Sequence, residues 1–217
     1  MNARRTVLLT GFEPFGGEPV NPSAQAVQAL DGERIGALRV RAAVLPCAFC
    51  AAGPALGAAL VRHAPELVIA VGQAGGRDRI CLERVAVNLV DARIADNQGE
   101  QPVDLPVIAG AAPAHFTTLP VKAMHAALVR AGIPAELSLS AGSYVCNAVF
   151  FELMERLAAM PGVRGGFVHI PWAPEQAVRH PGAASMPVAL VCDALRVMVT
   201  AALANERDLA VPGGAEC

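Results

Sequence analysis

Apolar positions along this chain fall into short unbroken runs that alternate with helical stripes, and that alternation predicts the fold class. Residues 6–10 form a brief apolar run that ends at Gly11, as a strand buried on both faces would. Residues 22–30 open with Pro22 and carry apolar side chains at helical spacing, which predicts a helix. A strand pattern returns over 38–45, an alanine-rich helix over 49–63, and a buried strand over 67–71 closed by Gly72. Farther on, 120–131 reads as helix, 146–159 as helix through Val149, Phe150, Leu153 and Leu157, 166–170 as a strand stopped by Pro171, and 186–205 as a closing helix. The order predicts an α/β fold: a single domain over residues 1–217 with a mostly parallel twisted sheet and helices on both faces.

Two stretches break the alternation. Residues 81–90 alternate like a half-buried strand, with Glu83, Val85, Val87 and Leu89 on one face and Arg84, Ala86 and Asn88 on the other, so a carboxylate shares a face with aliphatic side chains. Residues 91–119 carry Gly, Pro, Asn and Asp at short intervals without a period, which predicts a long functional excursion or a small antiparallel insertion. There is no internal repeat, low-complexity tract or linker-like stretch.

Composition narrows the class. Hydrophobic residues make up 54% of the chain and charged ones 17%, against about 25% charged in an average domain, which excludes intrinsic disorder. A net charge of −2 with no basic run offers a nucleic-acid backbone no electrostatic footprint. The mean hydropathy of +0.44 raises the question of a membrane. No stretch approaches the roughly 18 to 20 uninterrupted apolar residues of a spanning helix, and the longest candidate, 48–61, contains Gly53, Pro54 and Gly57. The apolar run at 6–10 is too brief for the core of a signal peptide. A cytoplasmic protein is therefore expected, its six cysteines (Cys47, Cys50, Cys81, Cys146, Cys192 and Cys217) present as reduced thiols.

The strongest chemical signal is Ser140-Ala141-Gly142-Ser143-Tyr144-Val145-Cys146-Asn147, a small-residue turn that delivers a cysteine to the start of an amphipathic helix. Unpaired N–H groups and the helix dipole there favour a thiolate and supply part of an oxyanion hole. The bland alternative is a small buried hydrophobe. His169, near the end of the strand that follows this helix, sits where open α/β sheets place ligands; it is a candidate base, or else a satisfied core histidine. A base needs an orienting group. Glu83 is the candidate, because a carboxylate among aliphatic residues needs a partner; the alternative is a structural ion pair with Arg77 or Arg79.

These residues and their surroundings resemble a known family. Gly11-Phe12-Glu13-Pro14-Phe15-Gly16-Gly17 with Asn21-Pro22-Ser23, then Glu83-Arg84-Val85-Ala86-Val87-Asn88, Asp91 to Asn97, Tyr144-Val145-Cys146-Asn147 and Gly166 to Pro171 are similar, in collinear order, to motifs of the pyroglutamyl peptidase I (pyrrolidone carboxyl peptidase) family of cysteine peptidases. The resemblance implies Cys146 as nucleophile, His169 as general base and acid, and Glu83 as orienter. It implies peptides with an N-terminal pyroglutamyl (5-oxoprolyl) residue as substrates, no metal or cofactor, and a homotetramer. Phe12 and Phe15 match aromatic walls for the lactam ring, with Ile94, Tyr144 and Val145 completing the pocket; ordinary core packing is the alternative for both phenylalanines. Gln73 matches a position whose backbone hydrogen-bonds the lactam, Asn21 one that holds the Phe12–Phe15 loop, and Arg93 a helper at the oxyanion that could instead pair with Asp91 or Asp96. Ala148, Tyr144 and Trp172 depart from the commonest pattern without removing a catalytic group.

Other constellations are weaker. Cys47-Ala-Phe-Cys50 has redox spacing but no second pair for zinc. Gly72-Gln-Ala-Gly75-Gly76 could line a phosphate, as in a phosphorolytic or ligand-binding protein of the same architecture, yet lacks a full phosphate-loop pattern. His63, His115, His125 and His180 show no metal-ligand spacing.

Overall fold

A computed structural model describes residues 5–214; Cys217 and the first four residues lie outside the described residues. The elements run β1 (Thr6–Phe12), α1 (Pro22–Ala29), β2 (Arg34–Ile35), β3 (Leu38–Leu45), α2 (Phe49–His63), β4 (Leu67–Gln73), β5 (Ile80–Glu83), β6 (Val85–Val87), β7 (Ala114–Phe116), α3 (Val121–Arg130), β8 (Ala135–Ser138), α4 (Val145–Ala158), β9 (Arg164–Ile170), α5 (Pro174–Ala177) and α6 (Val188–Ala204). Seven strands form one sheet in the order β2-β3-β1-β4-β9-β5-β8. Pairings β1·β3, β1·β4, β4·β9 and β5·β8 are parallel, whereas β2·β3 and β5·β9 are antiparallel. The sheet is thus mostly parallel, as the alternation of patterns predicts.

The period of two along a strand divides the core. Val7, Leu9, Leu67, Ile69 and Val71 face α1, α3 and α6, while Leu8, Val68 and Ala70 face α2 and α4. Strands covered on both sides read as continuous apolar runs, which is why β1 and β4 were legible. Helix α4 is held by burial of Val149, Phe150, Leu153 and Leu157, each contributing about 1.5–3 kcal/mol before ordering costs. Its N-cap, Tyr144, makes no side-chain cap bond.

The single strand expected over 81–90 is two strands in different sheets. Arg84 is the switch: its N–H donates to the Ser138 carbonyl (2.8 Å), while its own carbonyl accepts from Thr117 N–H (3.0 Å). β5 therefore stays beside β8, and β6 pairs with β7 in a small antiparallel sheet. The change of partner also reverses the faces. Ala86 is fully buried, Val85 and Val87 are half-buried, and Leu89 is exposed, so Glu83 does not share a face with them as the alternation suggests. The excursion carries β7 and a bridge between Val90 and Leu105. β2, β8 and α5 escaped the sequence pattern because they are short and only partly apolar. Among the described residues no helix is long and apolar enough to cross a membrane.

Candidate active site

The site grows from the ends of adjacent strands. β4 and β9 run in register, with Gly72 beside His169 and Gln73 beside Ile170. On the other side of β9, antiparallel β5 sets Cys81 opposite His169 and Glu83 opposite Phe167. Glu83 and His169 are thus diagonal neighbours on one face, within reach across the ladder. Glu83 Oε1 lies 2.8 Å from His169 Nδ1, with Glu83 fully buried and His169 nearly so. A carboxylate only accepts, so Nδ1 carries the proton and the Nε2 of the neutral ring is left as an acceptor, an assignment made from the hydrogen bond.

Arg77 shares the carboxylate. Its Nη1 is 3.4 Å from Glu83 Oε1, and its guanidinium also bonds Ser138 Oγ (3.3 Å) and the Ser140 carbonyl (3.2 Å). The Glu83 carboxylate therefore meets both the histidine ring and the Arg77 guanidinium. A buried carboxylate between a histidine and an arginine is compensated as an isolated one would not be. Arg77 also ties β5 to the segment that leads into α4.

Cys146 is the second residue of α4, after a turn in which Gly142 takes φ +78°. Its sulfur rests on Gly72: a Cβ there would lie 2.9 Å from Cys146 Sγ and 2.7 Å from Phe167 Cζ, so only glycine fits. Because Gly72 neighbours His169 in the sheet, thiol and imidazole meet on one cavity. Burial pushes the Cys146 thiol up, and nearby Cys47 and Glu83 push the same way, against a smaller pull from the residue's own N–H. Asn147, which sequence reasoning gave no role, is fully buried and locks α4 onto β6: its Nδ2 donates to the Val87 and Leu89 carbonyls (both 2.9 Å) and its Oδ1 accepts from Val87 N–H (3.0 Å).

The cavity holds about 310 Å³ and is lined by Phe15, Gln73, Arg93, Ile94, Tyr144, Cys146 and His169 among the residues singled out from sequence. Gly75, Asp91, Ala141 and Ser143 complete the lining. The Tyr144 ring packs on Phe15 (centroids 6.2 Å) and edge-on against Phe49 (5.3 Å), and its hydroxyl donates to the Ala95 carbonyl. Arg93 is exposed at the rim and forms no ion pair with Asp91 or Asp96 among the described residues. Against the cost of its burial, the N–H groups of Phe49, Glu100, Gln98 and Gly99 hold the Asp96 carboxyl below the usual range. It thus shapes the loop rather than pairing with Arg93.

Three expected residues stand behind the cavity. Phe12, 1% exposed, packs on Phe167 (centroids 6.2 Å) in the core and is no lining wall. Val145 is likewise buried. Asn21 caps α1, accepting from Ser23 N–H (3.0 Å), and donates to the Glu13 carbonyl (3.0 Å), which holds the loop bearing Phe15.

The competing constellations fare poorly. Cys47 is buried and Cys50 exposed, and both are free thiols. A Cβ at Gly75 would run into the Trp172 indole, so that face of the glycine loop is filled by a ring and not open to a phosphate. Among the described residues no group of His, Cys, Asp and Glu could hold a metal ion.

A family model described as pyroglutamyl peptidase matches residues 5–205. Pyrrolidone-carboxylate peptidases of Cupriavidus taiwanensis and Escherichia fergusonii are 54% and 51% identical, covering 96% and 97% of this chain and 98% and 99% of their own. The crystal structure of pyroglutamyl peptidase I from Bacillus amyloliquefaciens superposes with a TM-score of 0.92 at 43% identity, covering 94% of this chain and 100% of that one. A mutant pyrrolidone carboxyl peptidase from Pyrococcus furiosus gives 0.89 at 41% identity, covering 92% and 98%.

Proposed function

The chain belongs to the pyroglutamyl peptidase family and is a cysteine hydrolase that removes an N-terminal pyroglutamyl residue from peptides, and from that premise we propose that Cys146, His169 and Glu83 carry the reaction. The observation that carries the assignment is the union of a buried Glu83–His169 hydrogen bond with a thiol seated on Gly72, the sheet neighbour of that histidine.

In this reading His169 Nε2 takes the Cys146 proton as the sulfur attacks the carbonyl joining the pyroglutamyl ring to the next residue. Burial pushes the Cys146 thiol up, so the sulfur relies on the neighbouring base to take its proton. First-turn N–H groups of α4, whose N-cap makes no side-chain bond, serve the developing oxyanion in this reading, with Arg93 as a further donor at the rim. The C–N bond then breaks, the imidazolium returns its proton to the leaving amine, and a pyroglutamyl thioester remains. Water, giving its proton to Nε2, attacks the thioester carbon; pyroglutamate leaves and the proton returns to sulfur. Glu83 holds the tautomer and offsets the imidazolium charge.

The ring fits beside Phe15, Ile94 and Tyr144, with Gln73 at the lactam, while Phe12, Val145 and Asn21 act from behind as supports. An apolar slot disfavours a charged α-amine through desolvation, so ordinary amino termini are rejected. The same proposal includes a cytoplasmic homo-oligomer, tetrameric by the family resemblance; Phe116 and Val178 expose apolar surface such contacts would cover, and sedimentation of the purified protein would show it.

Cys146→Ala is expected to lower release of a chromophore from a pyroglutamyl anilide by at least about a thousandfold, leaving the fold intact by circular dichroism. Retained turnover in that variant would remove Cys146 from the chemistry.

A further inference from the structure

Glu83 is fully buried, and its second oxygen, Oε2, has no hydrogen-bond partner among the described residues. The contacts that offset the carboxylate converge on Oε1, from His169 Nδ1 at 2.8 Å and Arg77 Nη1 at 3.4 Å. Resting on the assignment of Cys146, His169 and Glu83 to the reaction, we propose that Arg77 is a positioning residue: its guanidinium holds Glu83 in the carboxylate form, and through Glu83 it fixes His169 as the tautomer able to take the thiol proton.

The groups around Glu83 leave this task to Arg77. In the tautomer that can act as a base, the imidazole donates to Glu83 but brings no net charge. On β5 itself Cys81 sits opposite His169 and so on the same face as Glu83, and burial pushes its thiol up to about 12. On α4 the Cys146 thiol is pushed up by burial, then by Cys47 and Glu83. Neither sulfur can supply a positive charge. On β8, Glu136 also approaches Arg77 (3.7 Å), but its side chain is 44% exposed and has Arg79 within 3.9 Å, so water and a second arginine serve it. Among the described residues the arginine within ion-pair distance of Glu83 is Arg77 alone.

Neutral acceptors keep the guanidinium in place. It donates to Ser138 Oγ (3.3 Å) and to the Ser140 carbonyl (3.2 Å), and Ser138 Oγ donates to that same carbonyl (3.3 Å). Arginine stays charged at every working pH. Without that charge, a fully buried carboxylate would face a neutral ring, and burial favours the acid form. A protonated Glu83 donates to Nδ1 and leaves the ring proton on Nε2, which then has no lone pair for the thiol proton.

The test removes the charge and keeps the aliphatic stem. At pH 7, Arg77→Met is expected to lower kcat for the pyroglutamyl anilide about 10- to 100-fold with KM within about threefold. The acid limb of its kcat/KM profile should move up by at least about one pH unit, so that activity returns as pH rises, with the protein folded by circular dichroism across that range. Arg77→Lys keeps a charge but loses the fork that reaches Ser138 and Ser140, and should restore the acid limb. Should Arg77→Met fail to fold, Arg77→Gln, neutral and still a donor, takes its place with the same expectations. An unmoved kcat and acid limb in the neutral variant, or a lysine variant that behaves like the neutral one, would overturn the proposal. In the Glu83→Gln background Arg77→Met should add at most about threefold, since the carboxylate it serves is gone; effects that multiply in full overturn it as well. Glu83→Gln alone tests the reading of the site. If that variant loses kcat while Arg77→Met keeps its rate and profile, only the role of Arg77 falls.

Discussion

The two walls of the cavity are built differently. On the wall proposed to carry the chemistry, Glu83, His169 and Cys146 stand on β5, β9 and the first turn of α4, so backbone ladders and the Gly72 contact set their positions. On the wall proposed for recognition, Phe15, Arg93 and Ile94 stand in loops. Those loops are fixed by side chains that bond to backbone: Asn21 to Glu13, Asn97 to Pro14, and Asp96 to Phe49, Gln98 and Glu100. Register is costly to change, whereas a loop held by a few such bonds can be retuned one residue at a time. Substitutions on the first wall should therefore appear in kcat, and those on the second in KM.

The largest effect that can break this division comes from Glu83→Gln. The amide keeps the shape but loses the charge that balances Arg77 and the imidazolium, and its NH2 can force the wrong histidine tautomer. A fall in kcat of about 10²- to 10⁴-fold is expected with KM for the pyroglutamyl anilide within about threefold. Steady-state kinetics decides it: a variant that loses affinity and keeps kcat would show that Glu83 belongs to the recognition wall.

A smaller pair of changes separates the two phenylalanines of one motif, Phe12 at the end of β1 and Phe15 in the loop after it. Phe12→Ala empties a core site against Phe167 and should cost about 3–5 kcal/mol in denaturant unfolding. Phe15→Ala, at a half-buried cavity position, should cost no more than about 1 kcal/mol of stability yet raise KM about tenfold. If both variants lose only stability, the Phe15–Tyr144 side is not a wall for the ring.

Much of the architecture was legible because strands covered on both faces must be apolar throughout, as β1 and β4 are. The pairing of Glu83 was legible for the same reason: an unpartnered carboxylate in a core is too costly to leave. Other features depend on distances the sequence does not display. Arg84 divides the 81–90 segment because its carbonyl meets Thr117, far along the chain, and a pattern of alternation carries no information about that partner. The start of α4 favours a thiolate, whereas burial of the sulfur pushes the thiol the other way, and spacing alone does not display how deeply it is packed. Phe12, the last residue of β1, and Phe15, in the loop after it, belong to one glycine-rich motif, and spacing cannot say which ring turns inward.

The smallest effect sharpens the comparison most, because one side chain does two separable things. Asn21 Oδ1 caps α1 by accepting from Ser23 N–H and Oγ, while Nδ2 holds the Glu13 carbonyl of the Phe15 loop. Asn21→Ala should lose about 1 kcal/mol of stability with the cap and raise KM about two- to threefold as the loop loosens, with kcat unmoved. Asn21→Asp keeps the capping oxygen but has no donor for Glu13, so it should recover the stability and retain the rise in KM. If the aspartate recovers both, the loop is held by Asn97 alone and the recognition wall is stiffer than its hydrogen bonds imply; if kcat falls in either variant, the two walls are mechanically one.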